Sequence, residues 1–263
     1  MIVGFQGEQG AFSDEAVAAA FGHVPTRGYR TFEDLLSAVD EQAVTHGLLP
    51  CENSIAGSIA RAYDLLSQYE SIRIAGETKH RIEQCLIGLP GARIETLERV
   101  ASHPVAIEQC RRFLAAHPYL RVDLADDTAG SVRAMVERGN LHVAAIGPAL
   151  AAERYGGVVL KRGVQDDEEN YTRFFLITRG GEPAKPATRT CFVLHLPHRA
   201  GSLHEALGVL ARRGLNLRSL VARPNRQSPF EYVFYVEIDA PETTDAAELL
   251  AAFEGRARLL GRY

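Results

Sequence analysis

Short apolar runs alternate with amphipathic stretches through the first two-thirds of the chain. The runs at 2–5, 47–50, 72–75, 85–89, 99–102, 121–125, 142–146, 158–161 and 174–178 predict strands. Between them, Phe32, Leu35, Leu36 and Val39 repeat at i, i+3, i+4 and i+7 and so share a helical face. Thr31, three residues before Asp34, gives that helix a start like a capping box. Ile55, Ile59, Ala62 and Leu66 predict a second face, Ala106, Cys110 and Phe113 a third, and Val132, Met135 and Val136 a fourth. Strands alternating with helices predict an α/β architecture with largely parallel sheets.

The rhythm breaks at 179–188, where two glycines and two prolines with no large apolar residue predict a linker. A different order follows: a strand over 190–196, a helix over 202–213 with Leu203, Leu207, Leu210 and Ala211 on one face, strands over 216–222 and 230–239, a helix over 244–254 and a last strand over 258–261. That βαββαβ order predicts a ferredoxin-like α+β module after the α/β body.

Composition narrows the chemistry. With 29 Lys and Arg against 33 Asp and Glu, the net charge is −4, so the basic excess that a nucleic-acid partner needs is missing. No apolar run approaches the roughly 18 residues of a membrane span. The opening Met1–Phe5 stretch lacks a charged leader, so a cytoplasmic protein is expected. Cys51, Cys85, Cys110 and Cys191 are scattered without metal-ligand spacing, which predicts reduced, buried thiols and no metal centre. The segment Gly4–Gly10 carries glycines after the first strand, but its GxxGxxG spacing is not the dinucleotide fingerprint, and no phosphate loop occurs. No nucleotide or other cofactor is expected.

In open parallel sheets ligands bind where strands end and helices begin. Four such turns carry small polar residues: 10–13, 50–58, 102–104 and 127–131. Unpaired N–H groups at helix starts suit a carboxylate, although simple N-capping by the same residues is the alternative reading. Gly57, expected within a first helical turn, weakens that helix by about 1 kcal/mol and suggests close approach of a ligand or another backbone. Farther on, an acidic run at 166–169 leads through Asn170 and Tyr171 to Thr172 and Arg173, a hydroxyl and a fixed cation at the entry of an apolar strand.

Taken together, the segments 5–13, 49–58 (Leu-Pro-Cys-Glu-Asn-Ser-Ile-Ala-Gly-Ser), Ser102-His103-Pro104 and Asn170-Tyr171-Thr172-Arg173-Phe174 resemble, in kind and order, those of prephenate dehydratases. The C-terminal module is similar to an ACT domain, a small ligand-sensing unit. The resemblance implies a catalytic part over 1–178 with a type II periplasmic-binding-protein-like fold, lobe 1 being about 1–76 and 161–178 and lobe 2 about 77–160. It implies a linker at 179–188 and an ACT domain at 189–263. With the first strand starting at Ile2, the enzyme is expected to be monofunctional.

The implied reaction converts prephenate to phenylpyruvate, carbon dioxide and water in phenylalanine biosynthesis, with arogenate as the alternative substrate. A small-anion binding protein without chemistry is the distant alternative. The resemblance implies Thr172 as donor to the departing hydroxyl and Arg173 as carboxylate ligand, with Glu52 a rival acid or a partner of Arg173. Asn53, Ser54, Gly57, Ser102, His103, Asn170 and Phe174 are the implied substrate contacts. Gly201, Ser202, Leu203, Asn216 and Leu217 would hold a phenylalanine effector at an interface between ACT domains of a homodimer or homotetramer. Ala200 and Val221-Ala222 depart from the family pattern there.

Overall fold

The computed structural model describes residues 1–180, 186–225, 228–241 and 243–263. Its first run is β1 (Val3–Gln6), α1 (Phe12–Phe21), β2 (Thr26–Tyr29), α2 (Phe32–Asp40), β3 (His46–Asn53), β4 (Gly57–Ser58), α3 (Ala60–Leu66) and β5 (Ile72–Arg81). The second is β6 (Cys85–Gly88), β7 (Arg99–Ser102), α4 (Pro104–Glu108), α5 (Arg111–Ala115), β8 (Arg121–Leu124), α6 (Thr128–Arg138), β9 (Val143–Gly147), α7 (Ala149–Tyr155) and β10 (Val158–Lys161). The chain then returns through β11 (Tyr171–Arg179) and ends in β12 (Arg189–His195), α8 (Ser202–Arg212), β13 (Asn216–Pro224), β14 (Tyr232–Asp239), α9 (Ala246–Ala251) and β15 (Ala257–Arg262).

Two α/β lobes result, joined by two crossings as in type II periplasmic binding proteins. Lobe 1 orders its strands β5-β11-β3-β1-β2, with β1 parallel to β2 and β3 but β11 antiparallel to both neighbours. Lobe 2 orders its strands β10-β6-β9-β7-β8. The first crossing falls at 82–84 rather than near 76, because β5 keeps pairing with β11 as far as Arg81. There Ile82 N–H donates to Asn170 O, and Val164 N–H donates to Gln84 O.

Local sequence explains the helices that hold the lobes. The Thr31 hydroxyl accepts from Asp34 N–H at 3.1 Å, and α2 buries Leu35, Leu36 and Val39, the face its spacing predicts. Strand β2 has no apolar run and escapes the hydrophobic pattern; it is held by pairing with β1 instead.

The βαββαβ order of the C-terminal module is present. Of the expected linker, 181–185 lie outside the described residues. The module does not stand apart. Its strands β13-β14-β12-β15 continue the lobe 1 sheet through a parallel contact of Gly261 on β15 with Ile74 on β5. Glycine is required at that corner, since a Cβ on Gly261 would collide with the Ile74 carbonyl. The sheet then curls over lobe 1, and Cys191, Val193, Tyr235, Leu260 and Tyr263 enter the same core as Leu35, Tyr63, Leu66 and Phe175. Tyr63 packs on Tyr235 with ring centres 5.4 Å apart. Arg223 of β13 grips Asp64 of α3 with Nε and Nη2 at 2.9 and 2.8 Å.

Candidate active site

The polar step entering β11 divides between two faces, because successive side chains on a strand point to opposite sides. Thr172 shares a side with Phe174, which packs under α1 with Phe5, Ala16 and Val17. Arg173 shares the other side with Phe175, over whose ring its guanidinium lies at 5.1 Å.

Asn53, at the end of β3, organises the Thr172 side. Its Nδ2 donates to Asn170 Oδ1 at 2.8 Å, Tyr171 O at 3.1 Å and Thr172 Oγ1 at 3.2 Å. Because the Thr172 oxygen accepts from Asn53, the hydroxyl proton is left to point elsewhere. Asn170 is fully buried, and its Nδ2 has no hydrogen-bond partner in the structure. Ser54 secures the approach to β11: its hydroxyl donates to Glu169 O and accepts from Tyr171 N–H, each at 2.9 Å.

No helix begins at Asn53-Ser54, contrary to the expectation. Asn53 Oδ1 accepts from Ile55 N–H at 3.0 Å and Ala56 N–H at 2.9 Å, which closes a turn. Gly57, at φ +80°, then directs the chain into β4, which pairs back on Glu52 and Asn53. That positive φ accounts for the glycine; a Cβ added there would meet nothing within 4 Å, so no close approach requires it. Three other expected contacts also sit differently. Phe174 is core, since the alternation of β11 turns it under α1. Ser102 is buried inside lobe 2, its hydroxyl donating to Ile146 O at 2.6 Å and tying β7 to β9. His103 caps the short α4, its Nδ1 accepting from Val105 N–H at 3.2 Å, with Pro104 as the first helical residue.

On the opposite face, Arg173 meets three carboxylates. Its Nε lies 3.1 Å from Glu52 and its Nη1 3.1 Å from Glu77 and 2.7 Å from Glu237. The guanidinium is thus engaged by protein carboxylates, and Glu52 is its partner on the side away from Thr172. Burial opposes the Arg173 charge, yet the negative groups around it hold its pKa above the ordinary value. Burial likewise pushes the neighbouring Cys51 thiol up to about 12, so the compensating charge comes from the carboxylates. Glu237 and Glu77 do not figure among the expected residues. Glu237 had a visible signal, a lone acid inside the apolar stretch Val233–Ile238, where a buried charge needs a partner.

The lobes meet along the first turn and α1. Glu15 links them: its Oε1 accepts from Leu150 N–H of α7 at 3.1 Å, and its Oε2 lies 3.3 Å from His80 Nε2. His80 stands directly opposite Thr172 in the β5–β11 register. Arg133 pairs with Glu8 at 3.1 Å, and Tyr155 donates to Gln9 O at 2.7 Å. Beside these contacts, an inter-lobe cavity of about 1180 Å³ opens between the 6–9 turn, the end of β2, and the β8–α6 segment. No single-sequence signal marks Glu15 and His80, which are far apart in the chain.

In the module, Gly201 (φ +87°) precedes α8, and the buried Ser202 hydroxyl has no hydrogen-bond partner in the structure. Leu203 is half-buried. Asn216 donates to Asp239 Oδ2 at 2.8 Å, and Leu217 is exposed. The two groups are not brought together within one chain. Asn216 is level with Arg189 through Asp239, whereas Gly201 follows the far end of β12, about 20 Å away at the usual rise per residue.

Known proteins share this arrangement. The sequence matches the prephenate dehydratase family over residues 3–182. It is 35% identical to arogenate dehydratase/prephenate dehydratase 2, chloroplastic, of Arabidopsis thaliana, over 99% of this chain and 72% of that protein. It is 32% identical to the bifunctional N-acyl-homoserine lactone acylase/prephenate dehydratase of Komagataeibacter europaeus, over 100% of this chain and 95% of that one. The crystal structure of prephenate dehydratase in complex with L-Phe from Arthrobacter aurescens matches with a TM-score of 0.90 at 28% identity, covering 100% of this chain and 89% of that one. With the family match spanning the two lobes and the likeness to relatives running through the C-terminal module, this chain belongs to the prephenate dehydratase family.

Proposed function

We propose that this protein converts prephenate to phenylpyruvate and that phenylalanine regulates it through a C-terminal ACT domain. The observation that carries the catalytic part is the Thr172 hydroxyl, whose oxygen accepts from Asn53 and whose proton is free to be donated. The electron pair of the bond to the ring carboxylate moves into the ring as carbon dioxide leaves. The ring hydroxyl departs with one added proton, as water, and the ring becomes aromatic. Thr172 hydrogen-bonds the departing oxygen. The unpartnered Asn170 Nδ2 suits a substrate oxygen beside it. Asn53 and Ser54 hold the end of β11 in place, and Arg173 acts from the reverse face.

The regulatory part draws on the edge strand β13, which among the described residues pairs only with β14. Antiparallel pairing of two copies through β13 would set Asn216 and Leu217 of one chain near the Gly201–Leu203 turn of the other. The unpartnered Ser202 hydroxyl lies at that turn, beside the N–H groups that suit an amino-acid carboxylate. A homodimer, or a tetramer built from two, follows from this reading, as does a cytoplasmic location for a chain with four buried free thiols.

Relatives bearing the name arogenate dehydratase favour a second substrate. The purified protein is to be assayed with prephenate and with arogenate, following phenylpyruvate and phenylalanine, with and without added phenylalanine. Turnover of prephenate that falls as phenylalanine rises is expected. Exclusive use of arogenate would replace the substrate, turnover of neither would overturn the catalytic reading, and a flat response to phenylalanine would make the module structural.

A further inference from the structure

Thr172 lies on the α1 side of β11, while its neighbour Arg173 lies on the other side, toward the C-terminal module. Two of the carboxylates on Arg173 come from strands flanking β11: Glu52 from β3 and Glu77 from β5. The third, Glu237, belongs to β14 of the C-terminal module and makes the shortest contacts, with both its oxygens 2.7 and 2.9 Å from Arg173 Nη1. The Arg173 side chain is 9% exposed and that of Glu237 3%, so the pair is shielded from solvent, whereas the Glu52 side chain is 43% exposed. A cavity of about 500 Å³ borders the cluster, lined among others by Glu52, Lys79, Arg173, Arg218 and Glu237. Arg173 is therefore shared between two lobe carboxylates and one module carboxylate, with room beside it to lean either way; Glu77 also pairs with Arg189, and Glu237 lies 3.6 Å from Arg218.

We propose that Arg173 is a positioning residue: gripped by Glu237, it fixes the end of β11 and thereby the place of the Thr172 hydroxyl, so that the pose of the C-terminal module is read directly by the catalytic strand. The two side chains leave adjacent Cα atoms, so a pull on Arg173 tilts the backbone that aims Thr172. A donor held in place this way is sensitive to small shifts, since a displacement of about 1 Å costs on the order of a hundredfold in rate. Arg189 of β12 pairs with Glu77, inside the same cluster, whereas a separate charged clamp of the module, Arg223 on Asp64, ends on α3. It supplies a control that joins the same two parts without reaching Thr172.

The kinetic arm of the test rests on the proposed dehydratase reaction; the structural arm does not. The full chain carrying Glu237→Gln is compared with Arg223→Met by kcat and KM for prephenate, thermal unfolding, and hydrogen–deuterium exchange over β11. Glu237→Gln is expected to lower kcat about tenfold to a hundredfold with KM within about twofold, and to speed amide exchange at 171–174. Arg223→Met is expected to lower the melting temperature while leaving kcat and that exchange near wild type. Where Glu237→Gln folds poorly, the double variant Arg173→Met/Glu237→Gln removes both buried charges and is expected to fold while keeping the low kcat. Equal effects of the two single variants on kcat, or wild-type kcat and exchange in Glu237→Gln or in the double variant, would overturn the proposal. If the wild-type protein turns over neither prephenate nor arogenate, the dehydratase reading falls, and the exchange comparison alone decides whether Glu237 holds β11.

Discussion

Replacing Thr172 by valine keeps the shape and branching of the side chain and removes only the hydroxyl. In the folded protein that group accepts one hydrogen bond, from Asn53 Nδ2 at 3.2 Å. The same Nδ2 retains Asn170 Oδ1 at 2.8 Å and Tyr171 O at 3.1 Å. No buried donor is orphaned, so the stability cost should stay near the low end for a single hydrogen bond, about 0.5–1 kcal/mol. The transition state loses more. A preorganised donor to a developing oxyanion typically contributes 10²–10³ in rate, about 2.7–4 kcal/mol. Steady-state kinetics with prephenate, alongside urea unfolding, separates the two quantities. Thr172→Val should lose at least a hundredfold in kcat with little change in unfolding midpoint, and Thr172→Ser should keep most of the activity. Turnover in the valine variant within a few fold of wild type would refute the reasoning, whatever the unfolding data show.

Asn53→Asp preserves the turn-closing oxygen but places a second oxygen against three acceptors, so it should cost about 3 kcal/mol in urea unfolding and reduce kcat as Thr172→Val does. Gly261→Ala would force β15 away from Ile74, and overpacking of this kind should destabilise the chain by about 1–3 kcal/mol, seen as an earlier unfolding midpoint. Burial raises the Cys51 and Cys110 thiols from 9.0 to about 12 each. The unfolded chain releases these protons first, so the folded form is favoured fully below about pH 8 and loses about 1.4 kcal/mol per pH unit per thiol between pH 9 and 12. Unfolding midpoints measured across that range should fall, and less steeply in Cys51→Ala; equal slopes would count against the burial argument.

The lobes were legible where periodicity was unambiguous. The face of α2 and strands such as β7 and β10 lie where the hydrophobic pattern puts them. Strand β2, Thr-Arg-Gly-Tyr, carries no such pattern and is specified by its neighbours. Ile55, Ile59, Ala62 and Leu66 mimic a helical stripe, yet the helix starts only at Ala60, because Asn53 and Gly57 impose a turn that spacing does not encode. The chemistry of Thr172 and Arg173 was visible as residue types but not as geometry. With the strand expected to begin at 174, nothing required the two to face apart; with β11 starting at Tyr171, alternation requires it. Partners such as Glu237, contributed by a distant strand of a curled sheet, are set by tertiary packing and have no local signature.

The shared core also changes what the covalent connection between body and tail has to do. Main-chain bonds at β15, the Tyr63 and Tyr235 rings, and the ionic clasps Arg173–Glu237, Arg189–Glu77 and Arg223–Asp64 tie the halves independently of the chain between Gly180 and Pro186. Severing the backbone in that interval should leave a nicked protein that migrates as one particle under native conditions and separates into two pieces only in denaturant.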